Sequence, residues 1–263
     1  MAQESLIRFG IFGALLALFG LWEYLVPRRV RRVSQAARWR TNLALVVVDS
    51  LALRLVALAL PLLAVGAAAD AGRLQWGLLN QIAWPGWLEF IAALLVLDLA
   101  IWGQHLVTHK VPLFWRFHRV HHADRDIDVT TGVRFHPVEI AASMLLKVAL
   151  VYALGPSPLA VLVFEVLLNG TALFNHANLR LPGWVDAAVR LVLVTPDMHR
   201  IHHSDLRAEH DSNYGFSLSL WDRLFRTYRA DPVQGQDGMT VGLEWQDDQP
   251  QRLGWSLWLP FRR

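Results

Sequence analysis

Eight of the eleven histidines in this chain fall into three short words: "HLVTH" (His105, His109), "HRVHH" (His118, His121, His122) and "HRIHH" (His199, His202, His203). Imidazole is the commonest protein ligand for transition metals, and residues at i, i+3 and i+4 share a helix face, so each word can converge on a metal. One ion takes about four to six donors, which makes two ions sharing these nitrogens the economical reading. Cysteine is absent, so nitrogen and oxygen must hold any metal. Zinc suits such donors as well as iron does; iron is preferred for the chemistry given below. His136 in "RFHP" and His176 in "FNHAN" each stand alone, and each reads either as a further ligand or as a supporting residue. His210 reads as a bystander.

The elements that must position these words are apolar helices. Hydrophobic residues make up 54% of the 263, more than a soluble domain of this size normally carries. Apolar runs extend from about Phe9 to Val26, Leu43 to Ala69 and Leu88 to Val107. A hairpin of Glu139–Leu154 and Leu159–Phe174 turns at "GPSP" and either crosses the bilayer or re-enters it. The loop "PRRVRRVSQAARWR" carries six arginines, against one in the next loop, so the positive-inside rule makes it cytoplasmic and the amino terminus external. Counting crossings then brings every histidine word to the cytoplasmic face. The expected fold is all-α: an integral membrane helical bundle, in a bacterial inner membrane, with a cytosolic histidine-rich di-metal cap. Transmembrane helices and loops occupy residues 1–86, a catalytic domain 87–230 and a tail 231–263. In the tail region "AAVRLVLVT" suits an interfacial helix, and "LGWSLWLPFRR" suits either an interfacial anchor or packing on the cap.

Carboxylates flank the words: Asp124, Asp126, Asp128, Glu139, Asp205 and Asp211 could each accept a second ring N–H and fix a tautomer. Two acids lie deeper. Asp98, Trp102, His105 and His109 form one helical stripe, and Glu165, Asn169, Ala172 and His176 repeat its offsets. Ionisable residues inside a membrane span face the protein interior, so Asp98 and Glu165 either support the metal site or pair with Lys147 or Arg54.

These words, with "HADRDIDVTTGVRFHPVE" and "HSDLRAEHDSNYGFSLSLWDRLFRTY" following the second and third, resemble the fatty acid hydroxylase superfamily, also called the sterol desaturase family. The likeness runs from about Asp98 to Tyr228. It implies a di-iron enzyme that hydroxylates or desaturates a lipid C–H bond with O2 and two electrons. By the same resemblance His105, His109, His118, His121, His122, His199, His202 and His203 are catalytic metal ligands, with His136 and His176 as further ligands. Asp98, Asp124, Glu165, Asp205 and Asn213 support them, Asn213 through the family-like "NYG" word. The chain departs from some fatty acid hydroxylases at "HANLR", which lacks a second histidine one turn beyond His176.

No glycine-rich dinucleotide fingerprint and no cysteine-ligated centre is present, so the electrons must come from an external donor such as a ferredoxin or cytochrome. The net charge of +3, with its arginines beside apolar runs, suits anionic lipid headgroups and not nucleic acid. Two other function classes fit the same residues: a metal-dependent lipid hydrolase, and a non-catalytic lipid- or metal-binding membrane protein. The orientation has a direct check, because introduced cysteines have no native background. A cysteine at Ser34 is expected to be shielded from an impermeant thiol reagent in intact cells and one at Gln75 to be labelled; the opposite pattern would invert the topology.

Overall fold

The computed structural model describes residues 2–59 and 63–262. Its regular elements are helical, and among the described residues the only β pairing is three isolated bridges. Five helical segments are long and apolar enough to cross a bilayer: Leu6–Leu25 within α1 (Ala2–Leu25), Gln35–Leu58 within α2 (Gln35–Ala59), and the whole of α4 (Gly86–Lys110), α6 (Pro137–Leu154) and α7 (Pro158–His176). This is the expected membrane bundle.

The second apolar run departs from expectation. Two helices cover it, α2 and the short α3 (Ala64–Leu74), with Pro61 in the sequence between them. Leu63, ahead of α3, has extended backbone (φ −77°, ψ −178°), so α3 starts as a separate helix. Helix α3 buries Ala64, Ala67 and Ala68 against Leu97, Val148, Val151, Val161 and Phe164. Small side chains let its backbone approach closely where bulkier ones would hold it off.

The α6–α7 hairpin runs the length of α4. At its turn, Gly155 (φ 67°) ends α6 in the left-handed region, and a Cβ there would lie 2.3 Å from the Trp76 carbonyl oxygen. Beyond the turn Ser157 caps α7, and its own N–H donates to Glu89 Oε1 (2.9 Å), on the first turn of α4. The two ends of the hairpin therefore match the two ends of α4, which favours a full crossing over a re-entrant loop.

The opposite end of the bundle carries the cap, formed by α5 (Pro112–His122), the 3-10 turn Val129–Val133, α8 (Gly183–Val189), α9 (Pro196–His202) and the tail. Proline at the first turn of α5, α6, α7 and α9 starts each helix with φ already set and with no orphaned N–H at that position. The tail belongs to the cap: Trp255 and Leu259 are buried with Leu45 and Val120. Helix α8 and the turns after it expose Trp184, Leu191 and Val192, as an interfacial segment would.

One buried polar network ties the arginine-rich segment to the cap. Arg38 donates from Nε and Nη2 to the two oxygens of Asp124 (2.6 and 2.8 Å) and from Nη1 to Asp128 Oδ2 (2.6 Å). Asp128 also caps the Val129–Val133 turn in a capping box with Thr131. Burial pushes the Asp124 carboxyl up, but Arg38 and Arg134 more than offset this and hold it below the usual carboxylate range. Arg134 is fully enclosed, donating to Val120 O, Asn42 Oδ1, Pro250 O and Ser256 Oγ; burial brings its guanidinium down to about 10, still charged at neutral pH. Removing one partner of a buried pair strands the other charge. Arg38→Ala is thus expected to lose about 3–5 kcal/mol in denaturant titrations in mild detergent, against under about 0.5 kcal/mol for Arg40→Ala, whose side chain is exposed.

Candidate metal centre

Helix α4 brings His105 and His109 to the cap end, α5 supplies His118, His121 and His122, α7 ends on His176, and α9 carries His199 and His202 with His203 just beyond it. Nine buried histidines form two groups, within each of which one nitrogen per residue lies within 4.8 Å of the others. The first is His105, His109, His118, His122 and His202; the second is His121, His176, His199 and His203. The expectation that each HxxHH word converges on one metal is corrected here. On a helix, the i+3 and i+4 side chains flank the i direction and diverge from each other by about 100°. In α5, His118 and His122 therefore face the first group and His121 the second. Across from them His199 and His203 face the second and His202 the first. The two words exchange members.

Tautomers follow from the hydrogen bonds. Nδ1 of His105 donates to Tyr214 O (2.7 Å), of His121 to Arg134 O (3.1 Å), of His176 to Ala172 O (2.7 Å) and of His202 to Ser212 O (2.7 Å). His118 Nδ1 is 2.6 Å from Glu139 Oε1. With Nδ1 protonated, each of these rings turns a lone pair outward from Nε2. Yet Nε2 of His105 lies 3.1 Å from Nε2 of His118, and Nε2 of His121 lies 3.1 Å from that of His176. Facing lone pairs repel unless a cation lies between them. Both nitrogens of His109 and His122, Nδ1 of His199 and His203, and Nε2 of His202 are buried without any hydrogen-bond partner. Burial, reinforced by neighbouring imidazoles, pushes His121, His122, His199, His202 and His203 well below the ordinary histidine range, so they stay neutral and able to ligate. This donor set fits two transition-metal ions, one per group.

The supporting residues differ from expectation. Asp98 accepts from Trp221 Nε1 (2.8 Å) and Leu218 N (3.3 Å), fastening the cap to α4. Glu165 accepts from Lys147 (2.9 Å) and pairs with Arg8, the structural alternative. Asp124 is committed to Arg38, and Asp205 lies beside His210 and not beside either histidine group. None of these four acids hydrogen-bonds an imidazole, because backbone carbonyls already occupy four of the five engaged Nδ1 positions. Glu139 takes the fifth. Asn213 acts by fixing the main chain: held at φ 53° with its side-chain Nδ2 donating to Met198 O and Arg229 O, it sets the carbonyls on either side, Ser212 and Tyr214, against His202 and His105. His136 lies outside both groups. It caps α6, accepting from Val138 N at Nδ1 (3.2 Å), while Nε2 meets Leu257 O (3.2 Å). His176, by contrast, is a full member of the second group. Gly132 makes this possible, because a Cβ there would lie 2.7 Å from Ala172 O, the acceptor for His176. His210 stands beside His109 and Asp211 and stacks on Trp115 (5.3 Å, 21°). Lys110 and Arg207 already neutralise Asp211 there, which disfavours a third cation.

Comparison with known proteins agrees with this geometry. A model of the fatty acid hydroxylase family matches residues 90–227, the segment that contains every histidine of both groups. The ornithine lipid hydroxylase of Rhizobium tropici is 30% identical over 57% of this chain and 44% of its own length. The human alkylglycerol monooxygenase is 28% identical over 62% of the chain and 35% of its length, and rat cholesterol 25-hydroxylase 26% over 54% and 47%. The chain thus spans less than half the length of these relatives. No solved structure matches it.

Metal analysis separates ligand from cap. Protein purified in mild detergent is expected to carry close to two ions, His122→Ala to lose about one, and His136→Ala to keep both while melting lower by about 1 kcal/mol from the lost cap. Equal metal content in the two variants would contradict the grouping.

Proposed function

The chain belongs to the fatty acid hydroxylase family, and from that premise we propose that it is a membrane-bound di-iron oxygenase that hydroxylates a lipid C–H bond with O2 and electrons from an external donor. The observation that carries the reading is the pairing of two buried all-histidine groups with a cavity that reaches His105 and His118 from the bundle side. Two irons, when bound, would supply the reductive activation of O2 that attack on an unactivated carbon requires. His105, His109, His118, His122 and His202 would hold one, and His121, His176, His199 and His203 the other. The names of the relatives, a lipid hydroxylase, a monooxygenase and a sterol hydroxylase, favour hydroxylation over desaturation.

The protein's own part is positional. Carbonyls of Ser212, Tyr214, Arg134 and Ala172 hold Nδ1–H so that Nε2 remains free to ligate. Glu139 Oε1 fixes the orientation of the His118 ring through Nδ1, so that Nε2 faces the first group. The nine rings are buried, and what distinguishes the oxygenase from the hydrolase alternative is the chemistry named by the relatives. Electrons would come from a ferredoxin- or cytochrome-type donor, since the chain has no cysteine and no dinucleotide fingerprint. Arg28 and Arg29 bind the cap through Asp197 and the Met239 carbonyl, which supports one face for the arginine segment and the histidines. By charge asymmetry we read that face as cytoplasmic.

Comparative lipid mass spectrometry of cells with and without the protein tests the reading: a lipid heavier by one oxygen is expected only with the protein. His122→Ala is expected to abolish that product and Glu139→Gln to lower it about 10- to 100-fold. Turnover of a zinc-loaded protein without O2 would establish the hydrolase in its place.

A further inference from the structure

Two cavities adjoin beneath the histidines. The outer one, about 600 Å³, lies between α4, α5 and α6, and its rim of Val107, Leu113, Phe114, Val138 and Leu146 is exposed on the bundle's outer face. The inner one, about 150 Å³, is closed by His105 and His118 and by Phe135, Leu168 and Phe216. Four residues line both: Gln104, Thr108, Glu139 and Ser143. They form the neck between a lipid-facing mouth and the metal groups, and they are the polar residues of a mouth that is otherwise apolar apart from backbone.

Thr108 Oγ1 donates to His105 O (2.7 Å), Glu139 Oε1 holds His118 while its Oε2 is buried without a hydrogen-bond partner, and Ser143 Oγ donates to Gln104 Oε1 (3.2 Å). Gln104 is thereby fixed by its oxygen, while its N–H2 makes no hydrogen bond among the described residues. The Gln104 side chain is half-buried, so a lipid that fills the passage cuts its N–H2 off from any other partner, which is costly unless that lipid accepts from it. Alkyl chain alone does not.

We propose that Gln104, positioned by Ser143, is a specificity-determining donor for an oxygen of the lipid. The substrate class is then a lipid whose ether, ester, amide or hydroxyl oxygen stands at the boundary between its bulk, left in the outer cavity, and the shorter stretch admitted beneath His105 and His118. This rests on the oxygenase reading for its chemistry but not for its test. Protein in phosphatidylcholine nanodiscs is titrated with radiolabelled n-hexadecane, hexadecyl methyl ether and 1-hexadecanol, each corrected for partition into empty nanodiscs. The ether, which can only accept, is expected to bind about fivefold more tightly than the alkane, the worth of one neutral hydrogen bond at ~1 kcal/mol, and the alcohol at least as tightly as the ether. Gln104→Leu is expected to erase that preference while hexadecane binding stays within about twofold, which also shows the cavity intact; Ser143→Ala weakens the preference, and Leu113→Trp lowers binding of all three. A wild-type protein that binds ether and alkane alike, or a Gln104→Leu variant that keeps the preference, overturns the assignment. If instead the ether preference holds and no oxidised lipid is found in cells, the neck stands and the oxygenase reading falls.

Discussion

Nine buried imidazoles crowded into two groups, with ring nitrogens facing one another at 3.1 Å, are tolerable only if their lone pairs share something positive. That requirement shapes the rest of the molecule. Each engaged ring must first lose its freedom to choose a tautomer, so a carbonyl or carboxylate has to stand behind it. Those acceptors must themselves be immobile. The left-handed turn at Asn213, the close approach at Gly132 and the enclosed Arg134 beside its own carbonyl all serve this one purpose, although they lie far apart in the sequence.

The histidine words were legible because metal ligation on helices imposes i, i+3 and i+4 spacing, and the membrane spans because hydrocarbon imposes length and composition. The division of His121 from His122 was not, since it depends on which partner helix faces each side of α5. Acidic residues near a histidine word invite the idea that they orient it. Here the orienting groups are mostly peptide carbonyls, which every residue possesses and no sequence distinguishes. Asp98 and Glu165 were rightly placed in the interior, but the first fastens Trp221 and the second answers Lys147 and Arg8. His136 looked like a ligand because it carries the right side chain in a suggestive word. Preceding a proline at the first turn of α6, it serves the helix end and not the metal groups.

The cap and the bundle are bound to each other by charges that neither could bury alone. Arg38 at the start of α2 meets Asp124 and Asp128 from the segment that follows "HRVHH", and Glu23 near the end of α1 accepts from Val129 N and Asn178 N (both 3.0 Å). The first two helices thus have a structural share in the metal groups although they contribute no histidine. They brace the turn on which Gly132 and Arg134 sit. Deeper in the bundle, the polar neck and the Lys147–Glu165 pair show where the protein interior departs from pure hydrocarbon.

The exchange of members between the two HxxHH words also orders events in time. A chain emerges from the ribosome amino terminus first, and four of the five histidines of the first group lie between positions 105 and 122. Of the second group only His121 has by then been made; His176 closes the last hydrophobic hairpin, and His199 and His203 follow it. One group is therefore nearly complete while the other is a single residue, and the late arrival of α9 completes both at once, closing the first with His202 and assembling the second around His121. The order in which a linear chain presents its ligands thus leaves both groups incomplete until α9 and His203 have been made.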